Sequence, residues 1–151
     1  MGRLDNKVAV ITGAGSGVGK EHALLLASEG AQVVVNDIGE AANETVAVIN
    51  ANGGKAVSHI GSVSDWNTGE DLVTTALDNF GDVHILINNA GILRDAMSFS
   101  MSEQEFDEVI DVHLKGHFVC ARAAAIYWRN QSKAGKAEAR SYPPSQSEYD
   151  Q

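Results

Sequence analysis

The stretch that decides the fold is Lys7-Val8-Ala9-Val10-Ile11-Thr12-Gly13-Ala14-Gly15-Ser16-Gly17-Val18-Gly19-Lys20. An apolar, β-branched run leads into a glycine-rich turn, and the turn opens an amphipathic segment that continues to Ser28. A strand, a glycine turn and a helix in this order predict a phosphate-binding site. Glycines let the backbone approach a pyrophosphate closely, and the free N–H groups of the helix N-terminus hold its negative charge.

The spacing of these glycines distinguishes three kinds of nucleotide-binding loop. A Walker A loop would need Gly at position 14 and Ser or Thr at position 21, where the chain has Ala14 and Glu21. A G-x-G-x-x-G loop beginning at Gly13 would need another glycine where Val18 stands. A glycine-rich turn that binds no ligand is the remaining alternative. The spacing that fits is Thr-Gly-x-x-x-Gly-x-Gly, formed by Thr12, Gly13, Gly17 and Gly19.

Outside this loop, short apolar runs alternate with longer amphipathic ones. The runs predicted as buried strands are 7–12, 31–36 and 83–88, and the more polar run 55–60 is typical of an edge strand. Helices are predicted over 17–28, 40–50 and 65–80, and Asp65 is the expected N-cap of the third. A capping box, Ser102-Glu103-Gln104-Glu105, opens a long helix toward Trp128. This order predicts an α/β fold with a doubly wound parallel sheet of Rossmann type.

Asp37 ends the second predicted strand, 18 residues beyond Gly19. An acidic residue about 20 residues beyond such glycines hydrogen-bonds the ribose hydroxyls of NAD and repels the 2′-phosphate of NADP. The sequence therefore predicts NAD in preference to NADP. The alternative is an aspartate that only caps the next turn.

Composition and charge limit the classes of partner. The 151 residues correspond to about one domain. Lys and Arg number 11 against 20 Asp and Glu, a net charge of −9, which argues against nucleic acid and an anionic membrane surface as partners. The single cysteine, Cys120, excludes an internal disulfide. The apolar run 8–11 is shorter than a signal peptide or spanning helix requires, so the expected location is the cytoplasm.

The composition changes near residue 134. Residues 134–151 contain no Ile, Leu, Val, Met, Phe or Trp, and they hold both prolines of the chain, Pro143 and Pro144. Such a segment cannot bury enough apolar surface to order itself. The sequence thus predicts a nucleotide-binding domain over 1–133 and a polar, disordered tail over 134–151.

Four motifs, matching in order and spacing, resemble the short-chain dehydrogenase/reductase family over residues 4 to about 133. They are the glycine loop, Asp37, Asn88-Asn89-Ala90-Gly91, and Asp111-Val112-His113-Leu114-Lys115-Gly116. The resemblance implies an NAD(P)-dependent oxidoreductase that transfers hydride between nicotinamide and a hydroxyl or carbonyl group of a small-molecule substrate. It also implies that full-length relatives are homo-oligomeric. The cofactor-binding residues expected from the loop and the resemblance are Thr12, Gly13, Ser16, Gly17, Val18, Gly19, Asp37, Ser62, Val63, Asn89, Ala90 and Gly91.

Two positions depart from the family pattern. Ser62 stands where many members have Asp beside the adenine, and His113 stands where the catalytic Asn is usual. The run Asn89 to Asp95, followed by Val-His-Leu-x-Gly, resembles the dehydrogenase units of peroxisomal multifunctional enzymes, which oxidise 3-hydroxyacyl-CoA. His113 is the candidate catalytic residue, and a core histidine at a helix kink is the alternative. His113 and His117 are spaced like a metal pair, but no third ligand accompanies them, so no metal is expected.

The catalytic Ser and Tyr-x-x-x-Lys of the family find no match. Tyr127 and Tyr142 are followed four residues later by Gln131 and Gln146, and Tyr149 lies too near the end. The sheet is therefore expected to be truncated after strand 4 and the long helix, with 83–87 as an apolar open edge and the chain inactive by itself. A non-catalytic nucleotide-binding module and a non-functional truncated product are the two alternatives.

Overall fold

Residues 2–136 are described by the computed structural model of the chain. The strands are β1 (Val8–Ile11), β2 (Gln32–Asp37), β3 (Lys55–Ile60) and β4 (Ile85–Ile87). The helices are α1 (Gly17–Ser28), α2 (Ala41–Ala51), α3 (Thr68–Phe80), α4 (Glu103–Ile110) and α5 (Gly116–Lys133), and a π-helical turn, Asp111–Lys115, joins the last two. The alternation predicted from the sequence is confirmed.

The sheet is parallel throughout, with strand order β3-β2-β1-β4. Val10 of β1 lies opposite Val34 of β2 and Leu86 of β4, so the apolar centres of three strands form one band. β3 lies at one edge, as its polar sequence predicts, and β4 lies at the other edge among the described residues. The prediction of a doubly wound parallel sheet is confirmed.

The two faces of the sheet are covered by different helices because successive side chains of a strand point to opposite faces. On one face, Val10 and Val34 pack in a cluster with Leu72 of α3 and Trp128 of α5. Residues on the other face, exemplified by Ile11, pack in a second cluster with residues of α1 and α2. Cys120 of α5 is buried in the first cluster, and its burial raises the pKa of the thiol to about 11.

The predicted helix 40–50 is shifted by one residue, and two other predicted helices differ more from the structure. α3 begins at Thr68 with Asn67 as its N-cap, so the expected N-cap role of Asp65 is wrong. The Asp65 side chain instead accepts a hydrogen bond from the Asn67 N–H at 2.9 Å, and its carbonyl accepts one from Thr68 at 3.1 Å. These bonds form a turn before the helix, because a short aspartate side chain competes for nearby backbone donors.

The long helix after Ser102 is the second difference, since a π turn divides it into α4 and α5. Its predicted start is confirmed. Ser102 Oγ accepts from the Glu105 N–H at 3.2 Å, and Glu105 Oε2 accepts from the Ser102 N–H at 2.8 Å. Within residues 2–136, none of the helices has the length and apolar character needed to cross a membrane. Most of the predicted tail, 137–151, lies outside the described residues.

Candidate functional site

A cleft of about 490 Å³ lies at the carboxyl edge of the sheet. Parallel strands all end at this edge, so the loops that follow β1, β2, β3 and β4 meet there. Eight of the twelve predicted cofactor-binding residues line the cleft, namely Gly13, Ser16, Asp37, Ser62, Val63, Asn89, Ala90 and Gly91. A volume in this range fits a cofactor-sized ligand.

The glycine loop is packed too tightly to accept side chains at two of its positions. Gly13 has a φ of 62°, and a Cβ there would lie 2.8 Å from the Ala90 Cα. A Cβ at Gly19 would collide with the Gly13 carbonyl and the Asn89 side chain. Ser16 is the N-cap of α1 but makes no capping hydrogen bond with its side chain. The first-turn N–H groups of α1 are therefore available to an anion.

Thr12 joins this loop to the segment that follows β4. Its hydroxyl accepts hydrogen bonds from the N–H groups of Asn89, at 3.1 Å, and Ala90, at 3.0 Å. In return, Asn89 Nδ2 donates to the carbonyls of Thr12 and Gly13 at 3.2 and 3.1 Å. Thr12 is 1% exposed and does not line the cleft, and neither do Gly17, Val18 and Gly19. Of these four predicted residues, Thr12 and Gly19 pack against the Asn89 side chain, whereas Val18 is exposed outside the cleft.

Replacing Thr12 with Val is expected to lower the free energy of unfolding by about 1–3 kcal/mol. Valine keeps the shape of the side chain but deprives the Ala90 N–H of its hydroxyl acceptor, whereas the Asn89 N–H keeps the Ile87 carbonyl at 3.1 Å. Urea denaturation measures the change. Thr75→Val is the matched control, because the Thr75 hydroxyl bonds only a carbonyl of its own helix. Equal losses in the two variants would contradict the joining role of Thr12.

The Asp37 carboxylate lies on the rim of the cleft and is held by the backbone. Oδ2 accepts from the Gly15 N–H at 2.8 Å, and Oδ1 accepts from the Ile38 N–H at 2.7 Å. A Cβ at Gly15 would lie 2.7 Å from Oδ2 and 2.9 Å from the backbone carbonyl carbon of Ala41, so glycine is required there. A carboxylate has about four acceptor positions, so two remain for hydroxyl groups of a ligand.

Ser62 and Val63 form the wall of the cleft after β3. Val63 is 5% exposed and packs in the first apolar cluster, where the absent Cβ of Gly116 makes room for its methyl group. The Ser62 hydroxyl lies 2.6 Å from that of Ser64, and the Ser62 carbonyl accepts from Thr68 Oγ1 at 2.6 Å. This end of the cleft offers a fixed apolar side chain beside hydroxyl groups.

His113 lies in the π turn and does not line the cleft, although its neighbours Asp111 and Val112 do. Its Nε2 is 3.1 Å from the Ile92 nitrogen and 2.7 Å from the Ile92 oxygen, and its Cε1 lies 2.7 Å from the position of a Cβ on Gly91. The residue is exposed, so the alternative of a core histidine is wrong. π turns recur at functional sites because they displace one residue from the regular helix.

The described residues place no third metal ligand beside His113 and His117. The rings of His113 and His117 are stacked with centroids 6.4 Å apart. Among residues 2–136, no group of three or more His, Cys, Asp or Glu side chains is placed to hold a metal ion.

Among the cleft residues that were given no role from the sequence are Asn36, Arg94 and Glu108. Arg94 Nε donates to Glu108 Oε2 at 2.7 Å and ties the loop after β4 to α4. Hydrogen bonds from Gln104 and Arg94 lower the pKa of Glu108. Asn36 is 1% exposed at the end of β2. For Asn36, the only signal in the sequence is that a polar residue ends a β-branched run. No local pattern in the sequence predicts that Arg94 and Glu108 form a pair.

A parallel sheet with a glycine loop and a cleft at its carboxyl edge defines a Rossmann-type nucleotide-binding protein. The sequence model of one family, described as short chain dehydrogenase, matches residues 7–137. The chain therefore belongs to the short-chain dehydrogenase family.

Individual relatives agree with this assignment. Hydroxyacyl-CoA dehydrogenase ChsB1 of Mycobacterium tuberculosis is 48% identical over 136 residues, which are 86% of this chain and 43% of the relative. Peroxisomal multifunctional enzyme type 2 of Drosophila melanogaster is 48% identical over 140 residues, 86% of this chain and 23% of the relative. A short chain dehydrogenase from Mycobacterium avium superimposes with a TM-score of 0.88 at 51% identity, covering 90% of this chain and 52% of that one. The chain thus spans less than half the length of the two curated relatives.

Proposed function

We propose that this chain is the cofactor-binding part of an NAD-dependent oxidoreductase. The observation that carries the proposal is the Asp37 carboxylate, held on the rim of the cleft with two acceptor positions unused by Gly15 and Ile38. Ribose hydroxyls need such acceptors, and a 2′-phosphate is repelled by the same charge. The proposal therefore names NAD and not NADP.

Each end of the cleft has a role in this proposal. The glycine loop and the N-terminus of α1 would hold the pyrophosphate, Asp37 would bind the adenosine ribose, and Val63 would pack against the adenine. Asn89 and Gly91 would contact the nicotinamide ribose, and His113 would position Ile92 and the segment before it. Hydride acceptance from a hydroxyl carbon, or its reverse, is the chemistry that NAD supplies when bound.

The proposed substrate class is a 3-hydroxyacyl thioester. It is supported by the names of the two relatives, a hydroxyacyl-CoA dehydrogenase and a peroxisomal multifunctional enzyme. The run Asn89 to Asp95 before His113, which resembles the dehydrogenase units of multifunctional enzymes, supports it as well. The chain contains no Tyr-x-x-x-Lys, so we propose that it turns over nothing by itself. A cytoplasmic location and a homo-oligomer of the full-length relatives stay predictions.

The test is to titrate the chain with NAD⁺ and NADP⁺ by calorimetry and to assay it with a 3-hydroxyacyl-CoA at the NADH absorbance. We expect NAD⁺ to bind with a Kd below about 1 mM. NADP⁺ should bind at least about tenfold more weakly, because one charged contact changes the affinity by about that factor. We expect no NADH to form. Absence of NAD⁺ binding would refute the cofactor role. Formation of NADH would refute the proposed inactivity, and equal affinities would refute the choice of NAD.

A further inference from the structure

The buried amide of Asn36 connects β2 to the end of β3. Its Nδ2 lies 3.0 Å from the Gly61 carbonyl, 3.4 Å from the His59 carbonyl and 3.0 Å from His59 Nδ1. The two carbonyl oxygens determine which way the amide points, because an amide oxygen in that position would face two other oxygens. The nitrogen of the amide therefore faces the imidazole.

This orientation determines the protonation of His59. An amide nitrogen only donates, so Nδ1 must accept and must carry no proton, and the neutral ring has its proton on Nε2. An imidazolium has protons on both nitrogens and cannot accept. Protonation of His59 is therefore incompatible with its bond to Asn36. Turning the amide over would offer its oxygen to the protonated Nδ1, but it would set that oxygen against the Gly61 carbonyl and break the bond to Gly61.

The surroundings of His59 favour its neutral form. Burial lowers the pKa of His59 below the ordinary value of 6.5, and it outweighs the negative charge of Asp71 on α3 and the backbone hydrogen bond, which raise it. On β2 the residue opposite His59 is the uncharged Asn36, and its neighbours on β3 are Ser58 and Ile60. Because the folded chain binds this proton less readily than the unfolded chain, stability falls as the pH decreases below about 6.5.

The bonds of Asn36 reach the wall of the cleft. Asn36, Gly61 and Ser62 all line the cleft, whereas His59 does not. The Gly61 N–H donates to the Asp37 carbonyl at 3.0 Å, and the position of a Cβ on Gly61 lies 2.9 Å from His59 Cε1. A displaced imidazole or amide thus moves Gly61, and with it both the residue before Ser62 and the backbone partner of Asp37.

We propose that His59 is a positioning residue that makes cofactor binding depend on pH, by holding Asn36 and the Gly61–Ser62 wall only while its ring is neutral. This inference rests on the proposed function, since the affinity concerned is that for NAD. His59 acts through Asn36 and touches no bound group itself. Loss of one hydrogen bond of this kind corresponds to roughly a three- to tenfold change in Kd.

The affinity test is calorimetric titration with NAD⁺ at several values between pH about 5 and about 8. We expect the Kd of the unaltered chain to rise roughly three- to tenfold toward low pH. In His59→Asn, whose Oδ1 can take the place of Nδ1 and does not titrate, the Kd is expected to stay constant and tight. In His59→Phe, which has no acceptor, it is expected to stay constant and weak. His22→Asn, on α1, is the control for loss of a histidine elsewhere.

The decisive comparison is between the unaltered chain and His59→Asn. If His59→Asn keeps the full pH dependence, or if His59→Phe binds NAD⁺ at high pH as tightly as the unaltered chain, the proposal is overturned. An equal loss of the pH dependence of the Kd in His22→Asn would overturn it as well, because the effect would then not be specific to His59.

A second measurement needs no cofactor and separates this inference from the proposed function. The amide resonances of Gly61 and Ser62 are followed by NMR over the same pH range. We expect both to shift with the titration of the His59 ring, and to stay constant in His59→Asn. If the chain does not bind NAD⁺, the proposed function is refuted, but amide resonances that shift with the titration of His59 still support its coupling to Gly61 and Ser62. If these resonances do not shift, the coupling is overturned even when NAD⁺ binds.

Discussion

Replacing Asp37 with Ala is expected to weaken NAD⁺ binding by roughly ten- to a hundredfold, as calorimetry would measure. The carboxylate lines the cleft, and Gly15 and Ile38 use two of its about four acceptor positions, which leaves two for hydroxyl groups of NAD⁺. Hydrogen bonds to a charged acceptor are about twice as strong as neutral ones. Removing the charge also removes the repulsion of a 2′-phosphate, so the preference for NAD⁺ over NADP⁺ should largely disappear.

Two further aspartate variants separate the contacts of Asp37 from the change in net charge as the cause of weaker binding. Asp78→Ala changes the net charge by the same amount at an exposed position of α3 outside the cleft, and its affinity should equal that of the unaltered chain. Asp37→Asn keeps an oxygen for one backbone donor while losing the charge, so an intermediate affinity is expected. An Asp37→Ala variant that stays folded by circular dichroism and binds NAD⁺ normally would show that Asp37 only stabilises the turn.

Replacing Trp128 with Ala is expected to lower the free energy of unfolding by about 3–5 kcal/mol. Trp128 is 7% exposed and packs in the cluster between the sheet and α5, and its Nε1 donates to the Val83 carbonyl at 2.7 Å. The variant loses this hydrogen bond and leaves a cavity beside β4, the edge strand of the described sheet. Urea denaturation measures the loss, which is a large part of the roughly 5–15 kcal/mol typical of a domain.

The chain offers a matched control in its other tryptophan. Trp66 is 50% exposed, with its ring 6.1 Å from that of Phe118 and 5.4 Å from the Arg122 guanidinium. Trp66→Ala should cost about 1 kcal/mol, because exposed ring contacts of this kind contribute little. Trp128→Phe retains most of the packing but not the hydrogen bond, and an intermediate loss is expected. Similar losses at positions 66 and 128 would contradict the core role assigned to α5.

Several features of the fold could be predicted because their causes lie within a few residues. The β-branched runs at β1 and β2, the glycine spacing from Gly13 to Gly19 and the capping box at Ser102 each depend on local backbone preference, and each lies where the sequence placed it. The wrong prediction that Asp65 is the N-cap of α3 also arose from a local pattern. Asp65 and Asn67 can both cap a helix, and in the structure the Asp65 side chain bonds the Asn67 N–H in the turn before α3.

The sequence by itself determined the family, the parallel α/β fold and the group of loops that form the cleft, since the motifs follow the strands whose carboxyl ends must meet. Only the tertiary structure decided what Thr12, Asn36, His59 and His113 contact. The Thr12–Asn89 bonds join residues 77 apart, the Asn36–His59 bond joins residues 23 apart, and His113 contacts Ile92 across 21 residues. Such contacts leave no periodic or local signal, because they depend on strand register and on where the π turn displaces a helix, and both are properties of the packed chain.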